Sequence, residues 1–299
     1  MQSNLSSVKK FSRLQAILLT NLSLLFIVIS LAHPTILSYE FQYYLLLLTV
    51  AIIGIPHGFF DYSIAKRLFS NNSNWVYFFT FGYILLSLFY LILWLKSPLL
   101  SMIVFLLISI LHFGMEEQPH IRFNEMNYFK TFLLGSVPIV IPILFHTQEV
   151  FSIFEQIIGV NFSHINFSIY FYFFYFLSLL VALYFNGTKK SILYLILIPN
   201  LILLPPLVSF ILYFCFYHSI KHYILSIYED NLIPESYTIG EYLNIIITSS
   251  LVFTAIIIGI FYNYTNYTFD IIIVKYIFIL LACLTLPHLL LNIYYDSKK

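Results

Sequence analysis

Charged side chains are scarce in this sequence. Its 299 residues include 14 Lys and Arg and 13 Asp and Glu, so charged residues make up 9% of the chain, against about 25% in a typical soluble protein. Hydrophobic residues reach 61% and the mean hydropathy is +0.91. This balance excludes a soluble globular enzyme, a disordered chain and a basic protein that binds nucleic acid.

Cysteine is also scarce. Only Cys215 and Cys283 are present, and both lie inside apolar runs. Two such cysteines exclude a framework of disulfides, and we expect both to be small packing residues.

The sequence is rich in long apolar runs. A helix needs about 20 apolar residues to cross a bilayer. Ten runs approach that length: 14–33, 40–64, 75–95, 98–115, 129–146, 166–186, 190–204, 206–226, 243–263 and 270–293. They predict an all-α, polytopic integral membrane helix bundle, with residues 1–299 as a single membrane domain. We expect the first run to be retained as a span, because it is long for a signal peptide and lacks a clear small-x-small cleavage site.

The number of spans depends on residues 190–226. The run 190–204 is short and ends at Pro205 and Pro206, which break a helix because proline lacks the amide donor and clashes with the preceding turn. The stretch is therefore either two spans joined by a tight turn or one broken helix. Nine or eight spans are the alternatives to ten.

The basic residues favour ten spans. Cytoplasmic loops of membrane proteins are enriched in Lys and Arg. With the N-terminus inside, ten spans place all of the 14 basic residues except Lys96 and Lys275 on the cytoplasmic side. Merging 190–226 into one span spoils this alternation. We therefore predict ten spans in the cell (inner) membrane, with both termini in the cytoplasm.

Histidines mark the candidate site. Five of the nine lie in the C-terminal parts of even-numbered runs, at one depth toward the cytoplasmic face: His57, His112, His218, His222 and His288. Ionisable side chains at membrane depth are costly and usually functional, and neutral imidazole is the commonest metal-binding side chain. The other four are predicted to be surface residues: His33, His120, His146 and His164.

We predict that four of these five histidines form a metal site. His218 and His222 are spaced i, i+4, so they share one face of a helix, and His57 and His112 add two nitrogens from two other helices. Four neutral histidines with few hard oxygen ligands favour iron, and zinc and copper stay open as alternatives on the residues alone. For His288, which follows a proline, three roles stay open: a fifth ligand, a neighbour of the ligands, or a partner of a helix kink.

Carboxylates follow two of these histidines. Asp61 comes four residues after His57, and Glu116 comes four residues after His112 and is followed by Glu117. Metal-bound histidines usually donate their second N–H to a carboxylate, carbonyl or water. We therefore predict that these three side chains support the ligands. The alternative is that they are solvated charges at the cytoplasmic ends of the helices.

Four short motifs resemble a known family. In order they read GIPHGFFD at 54–61, HFGMEE at 112–117, FYHSIKH at 216–222 and LPH at 286–288. This order resembles the Brp/Blh family, the integral-membrane β-carotene 15,15′-dioxygenases. The family pattern is roughly P-H-G-x-x-D, H-F-G-x-x-D, W-H-S-x-R-H and P-H, and the resemblance covers most of the chain.

The resemblance implies an enzyme. The family uses iron(II) and O2 to split the central double bond of β-carotene into two molecules of retinal. The four iron-binding histidines of the family carry over to positions in this chain: His57, His112, His218 and His222. The bilayer would supply the apolar substrate, and a retinal-binding rhodopsin could take up the product.

The chain departs from the family pattern at three positions. Tyr217 stands where Trp is common, Glu117 where Asp is common and Lys221 where Arg is usual. Lysine lacks the planar, two-point hydrogen bonding of arginine. None of the three removes a ligand, so they bear on substrate detail more than on the chemistry. We expect Lys221 near the site, with snorkelling to the membrane interface as the alternative.

Two other classes of function stay open on the residues alone. A membrane metal or proton transporter fits the break at Pro205 and Pro206, although the histidine motifs show no inverted repeat. A dioxygenase or desaturase acting on a different carotenoid or lipid is the second. Desaturases carry several histidine clusters, and this chain has a single H-x-x-x-H.

Overall fold

The computed structural model describes residues 2–118, 127–162, 165–186, 188–234, 236–264 and 269–298. The structure is 89% helical and these ranges contain no strand, so the predicted all-α class is confirmed. The α-helices in chain order are α1 (Gln2–Ala32), α2 (Tyr39–Thr49), α3 (Phe60–Phe69), α4 (Trp75–Lys96), α5 (Pro98–Glu116), α6 (Tyr128–Phe145), α7 (Thr147–Ile158), α8 (Ile169–Asn186), α9 (Thr188–Leu203), α10 (Pro206–Ile211), α11 (Ile220–Ile224), α12 (Ile239–Tyr264) and α13 (Phe269–Lys298).

The apolar runs of the sequence all fall in helices. Seven helices in the described ranges are long and apolar enough to cross a membrane, and two shorter apolar helices cover Ile169–Tyr184 and Leu193–Leu203. The structure is therefore a helical membrane bundle, as predicted. The ten-span count and the cytoplasmic termini stay predictions.

The two adjacent prolines separate two helices, as the sequence predicts. Helix α9 ends at Leu203 and α10 begins at Pro206. A proline in the first turn of a helix costs nothing, because the first N–H groups have no partner within the helix. From Pro206 the chain stays helical as far as residue 229, so this segment carries both His218 and His222 on one continuous helix.

The sequence analysis missed one helix, α7. It is short and amphipathic, with Val150, Ile153 and Ile157 buried and Glu149 and Glu155 only partly buried. Gly159 ends it with a φ of +72°, a left-handed conformation that glycine adopts without steric cost. Helix α7 contacts α5, α6 and α13, and it was missed because it is too short and too polar to resemble a span.

Helices α5 and α6 approach each other closely through two glycines. A β-carbon at Gly114 would collide with the carbonyl oxygen of Thr131, and one at Gly135 would collide with the carbonyl oxygen of Ile110. Small residues let membrane helices pack backbone to backbone. This contact fixes the C-terminal end of α5, where His112 lies.

Helix α13 lies at the centre of the bundle. It contacts α2, α3, α4, α5, α7 and α12. In its most apolar stretch 67% of the residues are buried, against 6% in that of α4. Large apolar side chains on α4, among them Phe78, Phe81 and Phe89, are exposed. An apolar outer surface suits a bundle surrounded by lipid, and the central helix brings His288 into the interior.

Candidate metal centre

Irregular helical turns place two of the histidines. Residues Val50–Gly54 form a π-helical turn, and Ile55–Phe59 continue as a 3₁₀-helix that carries His57. Pro56 has no N–H to bond the carbonyl four residues earlier, so the regular α-helical pattern cannot continue here. His218 lies in a second π-helical segment, Leu212–Ser219. Such wide turns occur often at functional sites.

The structure brings the five histidines together. The rings of His57, His112, His218 and His288 are each less than 10% exposed, and His222 is half-buried. Ring centroids lie 4.9–5.4 Å apart in six pairs: His57 with His218, His222 and His288, His112 with His218 and His288, and His222 with His288. The five histidines, which the sequence predicts to lie at one depth in the membrane, therefore form one cluster.

Three of the five offer ligand atoms at metal-binding spacing. Nitrogens of His57, His112 and His218 all lie within 4.8 Å of one another, and these three rings are buried. His222 falls outside this group of three, although its ring centroid lies 5.3 Å from that of His57. Nε2 of His218 is buried without a hydrogen-bond partner among the described residues. A buried polar atom without a partner is costly, and a metal ion would satisfy it.

Two carboxylates contact histidines of other helices. Glu116 Oε2 lies 2.8 Å from Nδ1 of His218. This is a close contact between the carboxylate and the ring rather than a hydrogen bond. Both carboxylate oxygens of Asp61 lie within 2.9 Å of Nδ1 of His288. Each acid therefore supports a histidine across the bundle, and neither contacts the histidine four residues before it. Asp61 is 2% exposed and Glu117 3%, so the alternative of solvated charges is wrong for both.

The three departures from the family pattern contact one another. The hydroxyl of Tyr217 donates to Oε1 of Glu117 at 2.7 Å, and Nζ of Lys221 donates to the same oxygen at 2.8 Å. Lys221 also donates to the carbonyl of Glu116 at 3.0 Å and lies 5.4 Å above the ring of Tyr217. The snorkelling alternative for Lys221 is therefore wrong. The three residues form one hydrogen-bonded unit that holds the end of α5 beside His218.

Tyr83 is a residue of this region that the sequence analysis missed. Its hydroxyl donates to Oδ2 of Asp61 at 2.9 Å. Nothing in the sequence distinguishes Tyr83, because it is one of 25 tyrosines and lies within an apolar run. Only the packing of α4 against α3 and α13 shows its role.

An apolar cavity of about 440 Å³ reaches the histidine cluster. His57, His112 and His288 line it, and the rest of its wall is mainly apolar, including side chains of α6, α7, α10 and α13. The wall also includes Ile84, a side chain that is 52% exposed on the outer face of α4. The cavity therefore connects the cluster with the apolar surface of the bundle.

His33, His146 and the two cysteines lie apart from the cluster. His33 is exposed, as predicted. His146 follows the end of α6 and is half-buried, with Nε2 3.0 Å from the carbonyl oxygen of Ile202. The predictions for the other two fall outside the described residues: His120 and His164. Both cysteines are buried and unpaired, as expected of packing residues.

Comparison with known proteins identifies the family. The family model described as β-carotene 15,15′-dioxygenase matches residues 48–295. The chain belongs to this family. A relative with the same description, from the uncultured marine bacterium 66A03, is 30% identical over 260 residues, which cover 81% of this chain and 90% of the relative. No solved structure matches the chain.

Membership of the β-carotene 15,15′-dioxygenase family answers the question of function class. The chain is an oxidoreductase of the carotenoid-cleaving type, so the transporter alternative is wrong. The matched region, 48–295, contains all five clustered histidines and the two carboxylates that contact them. The resemblance in the four motifs is therefore confirmed over most of the chain.

Proposed function

We propose that this chain cleaves the central 15,15′ double bond of β-carotene with O2 and gives two molecules of all-trans-retinal. The observation that carries the proposal is an apolar cavity that ends at a buried cluster of histidines. A hydrocarbon substrate requires such a wall, because apolar ligands bind by removing apolar surface from water. The family described above names the same substrate and bond.

We propose iron(II) as the metal, held by His57, His112, His218 and His222. The donor set fits, since neutral imidazoles suit iron and the three most closely spaced rings are buried. The unpartnered Nε2 of His218 is an atom that such an ion would satisfy. Bound iron would supply the activation of O2 for its addition to the double bond.

The chain's own residues orient the ligands and exclude water. Glu116 contacts Nδ1 of His218, and the carbonyl of Gly54 accepts a hydrogen bond from Nδ1 of His57. Contacts of this kind fix the ring orientation of metal ligands. The reaction needs no general acid or base, because one C=C double bond and the O=O double bond are exchanged for two C=O double bonds.

We further propose that the enzyme works in the cell (inner) membrane and takes β-carotene from the lipid phase. The surface-exposed side chain of Ile84 in the cavity wall supports a path from the bilayer. The product is itself apolar and would leave into the same phase. There a retinal-binding rhodopsin could take it up.

Expression in a bacterium that accumulates β-carotene, followed by chromatography of the pigments, tests the proposal. We expect β-carotene to disappear and two molecules of retinal to appear for each one lost. His218→Ala should leave the carotene intact while the protein stays in the membrane. His33→Ala, which changes an exposed histidine outside the cluster, is the matched control and should cleave normally.

Two results would contradict the proposal. Unchanged β-carotene, with the protein present and iron supplied, would exclude this substrate. Shorter or longer apocarotenals in place of retinal would exclude cleavage at the centre.

Removal of metal by a chelator should abolish cleavage, and iron(II) but not zinc should restore it.

A further inference from the structure

His288 has the position of a ligand. It lies in α13 directly after Pro287, is 3% exposed and lines the cavity. Its ring centroid is 5.2 Å from that of His57, 5.0 Å from that of His112 and 5.4 Å from that of His222. It therefore faces the cluster from a helix that provides no other histidine.

These distances match rings that share one ion. With a metal–nitrogen bond of about 2.1 Å and roughly 1.1 Å more to the ring centre, two bound rings at 90–120° have centroids about 4.5–5.5 Å apart. The six neighbouring pairs of rings lie between 4.9 and 5.4 Å. The centroid distances of His288 match those among the other four histidines, although its nitrogens, like those of His222, fall outside the group of three that lies within 4.8 Å.

His288 and three neighbouring histidines use the same ring nitrogen, Nδ1, for a contact with an oxygen atom outside the cluster. Nδ1 of His288 lies 2.8 and 2.9 Å from the two carboxylate oxygens of Asp61, which also accepts from Tyr83. Nδ1 likewise faces an oxygen in three neighbours: Gly54 O for His57, Glu116 Oε2 for His218 and Ser226 Oγ for His222. Bound histidines commonly use one nitrogen for the metal and the other for such a partner.

Asn292 contacts both the ring and the backbone of His288. Its Nδ2 donates to the carbonyl of His288 at 2.9 Å and also lies within hydrogen-bond distance, 3.3 Å, of both ring nitrogens. Asp61 holds Nδ1 more closely, so Nε2 is the nitrogen that a metal would take, in place of the longer contact with Asn292.

We infer that His288 is a fifth histidine ligand of the metal, with Asp61 orienting its ring and Tyr83 holding Asp61. The inference rests on the proposed function, because it requires that the other four histidines hold an ion. Five nitrogens leave one open position on a six-coordinate metal, where four leave two. Asp61 and Tyr83 are positioning residues that act through His288.

Metal binding to the purified full chain in detergent tests the inference independently of carotene cleavage. The metal-free parent protein and variants are titrated with cobalt(II), and affinity is measured by competition with a coloured chelator. We expect the parent to show the weak visible absorption of five or six ligands. His288→Ala should bind cobalt at least about tenfold more weakly, with the stronger absorption of a lower coordination number.

Further variants separate the ligand from its surroundings. Asp61→Asn should weaken binding by about tenfold or more while keeping the parent's absorption, because the ring stays available. Added imidazole should restore the parent's spectrum to His288→Ala. His146→Ala is the matched control, since it removes a half-buried histidine outside the cluster, and it should leave affinity and spectrum unchanged.

The outcomes distinguish this inference from the function on which it rests. Equal affinity and an identical spectrum in His288→Ala and the parent would overturn the fifth ligand alone. An intense, four-coordinate spectrum in the parent would overturn it even if the variant fails to fold. A parent that binds no metal would overturn the proposed metal centre as a whole.

Discussion

At the scale of single residues, Gly54 connects the backbone to the cluster. Its carbonyl accepts from Nδ1 of His57, and a β-carbon at this position would lie 2.7 Å from Cε1 of Phe214. Phe214 is stacked on His218, with centroids 5.6 Å apart, and on Phe210 at 5.3 Å. The ring therefore has little freedom to move aside.

Gly54→Ala is expected to disturb the cluster. Overpacking costs about 1–3 kcal/mol, which exceeds the roughly 0.5–1 kcal/mol that alanine gains over glycine in a helix. We expect lower thermal stability in detergent and metal affinity reduced by several-fold, because Phe214 is pushed toward His218. Gly82→Ala, in α4 with open space around the glycine, is the control and should be neutral or slightly stabilising. Unchanged metal affinity and stability in Gly54→Ala would contradict the tight contact.

At the scale of elements, the packing of α5 on α6 positions the end of α5. Glu116 and Glu117 both contact the helix of residues 206–229 from this end. The contact between α5 and α6 is close because Gly114 and Gly135 have no side chains. Side-chain contacts at the cluster therefore depend on a backbone contact outside it.

Gly114→Ala should force α5 and α6 apart. Its β-carbon would meet the backbone of Thr131, which cannot rotate away as a side chain can. We expect a loss of about 1–3 kcal/mol or more, seen as a lower unfolding temperature by circular dichroism in detergent. Gly259→Ala in α12, with nothing near the added carbon, is the matched control. An unfolding temperature equal to that of the parent would show that the helices are not in backbone contact.

Helix α7 shows what a short element contributes. Its side chains Val150, Ile153 and Phe154 line the cavity, so it forms part of the surface that would contact an apolar substrate. Its sequence is only moderately apolar, with Glu149 and Glu155 in twelve residues. A search for long apolar runs therefore cannot find it.

At the scale of the whole molecule, the orientation in the membrane remains a prediction that can be measured. Ten spans with the N-terminus inside place Asn72 in a cytoplasmic turn and Ser97 in an outer one. Because both native cysteines are buried, single introduced cysteines can be labelled selectively. We expect a membrane-impermeant maleimide to label Ser97→Cys in intact cells, and Asn72→Cys only after the cells are opened.

The same experiment can be repeated at the C-terminus. A cysteine at Ser297, which is exposed near the end of α13, should be protected in intact cells if the number of spans is even. Labelling of this position from outside would favour nine spans. The basic residues of 190–226 would then no longer follow the positive-inside rule.

The amino-acid sequence by itself determined the class, the long apolar helices and the histidines of the cluster. Long apolar runs can only be satisfied as helices in a bilayer, because every backbone polar group must be bonded within the segment. Histidines at corresponding positions in several spans must lie at one depth, so their positions along the chain suffice to group all five: His57, His112, His218, His222 and His288. The four motifs sufficed to place the chain in its family.

The tertiary structure alone decided which side chains meet. Asp61 and Glu116 are four residues from His57 and His112 in sequence, yet they contact His288 and His218. The central place of α13, the contact of Tyr83 with Asp61 and the π-helical turn around His218 also came only from the structure. Spacing along a helix determines which residues share its face, but the rotation and closeness of neighbouring helices depend on packing across the whole bundle.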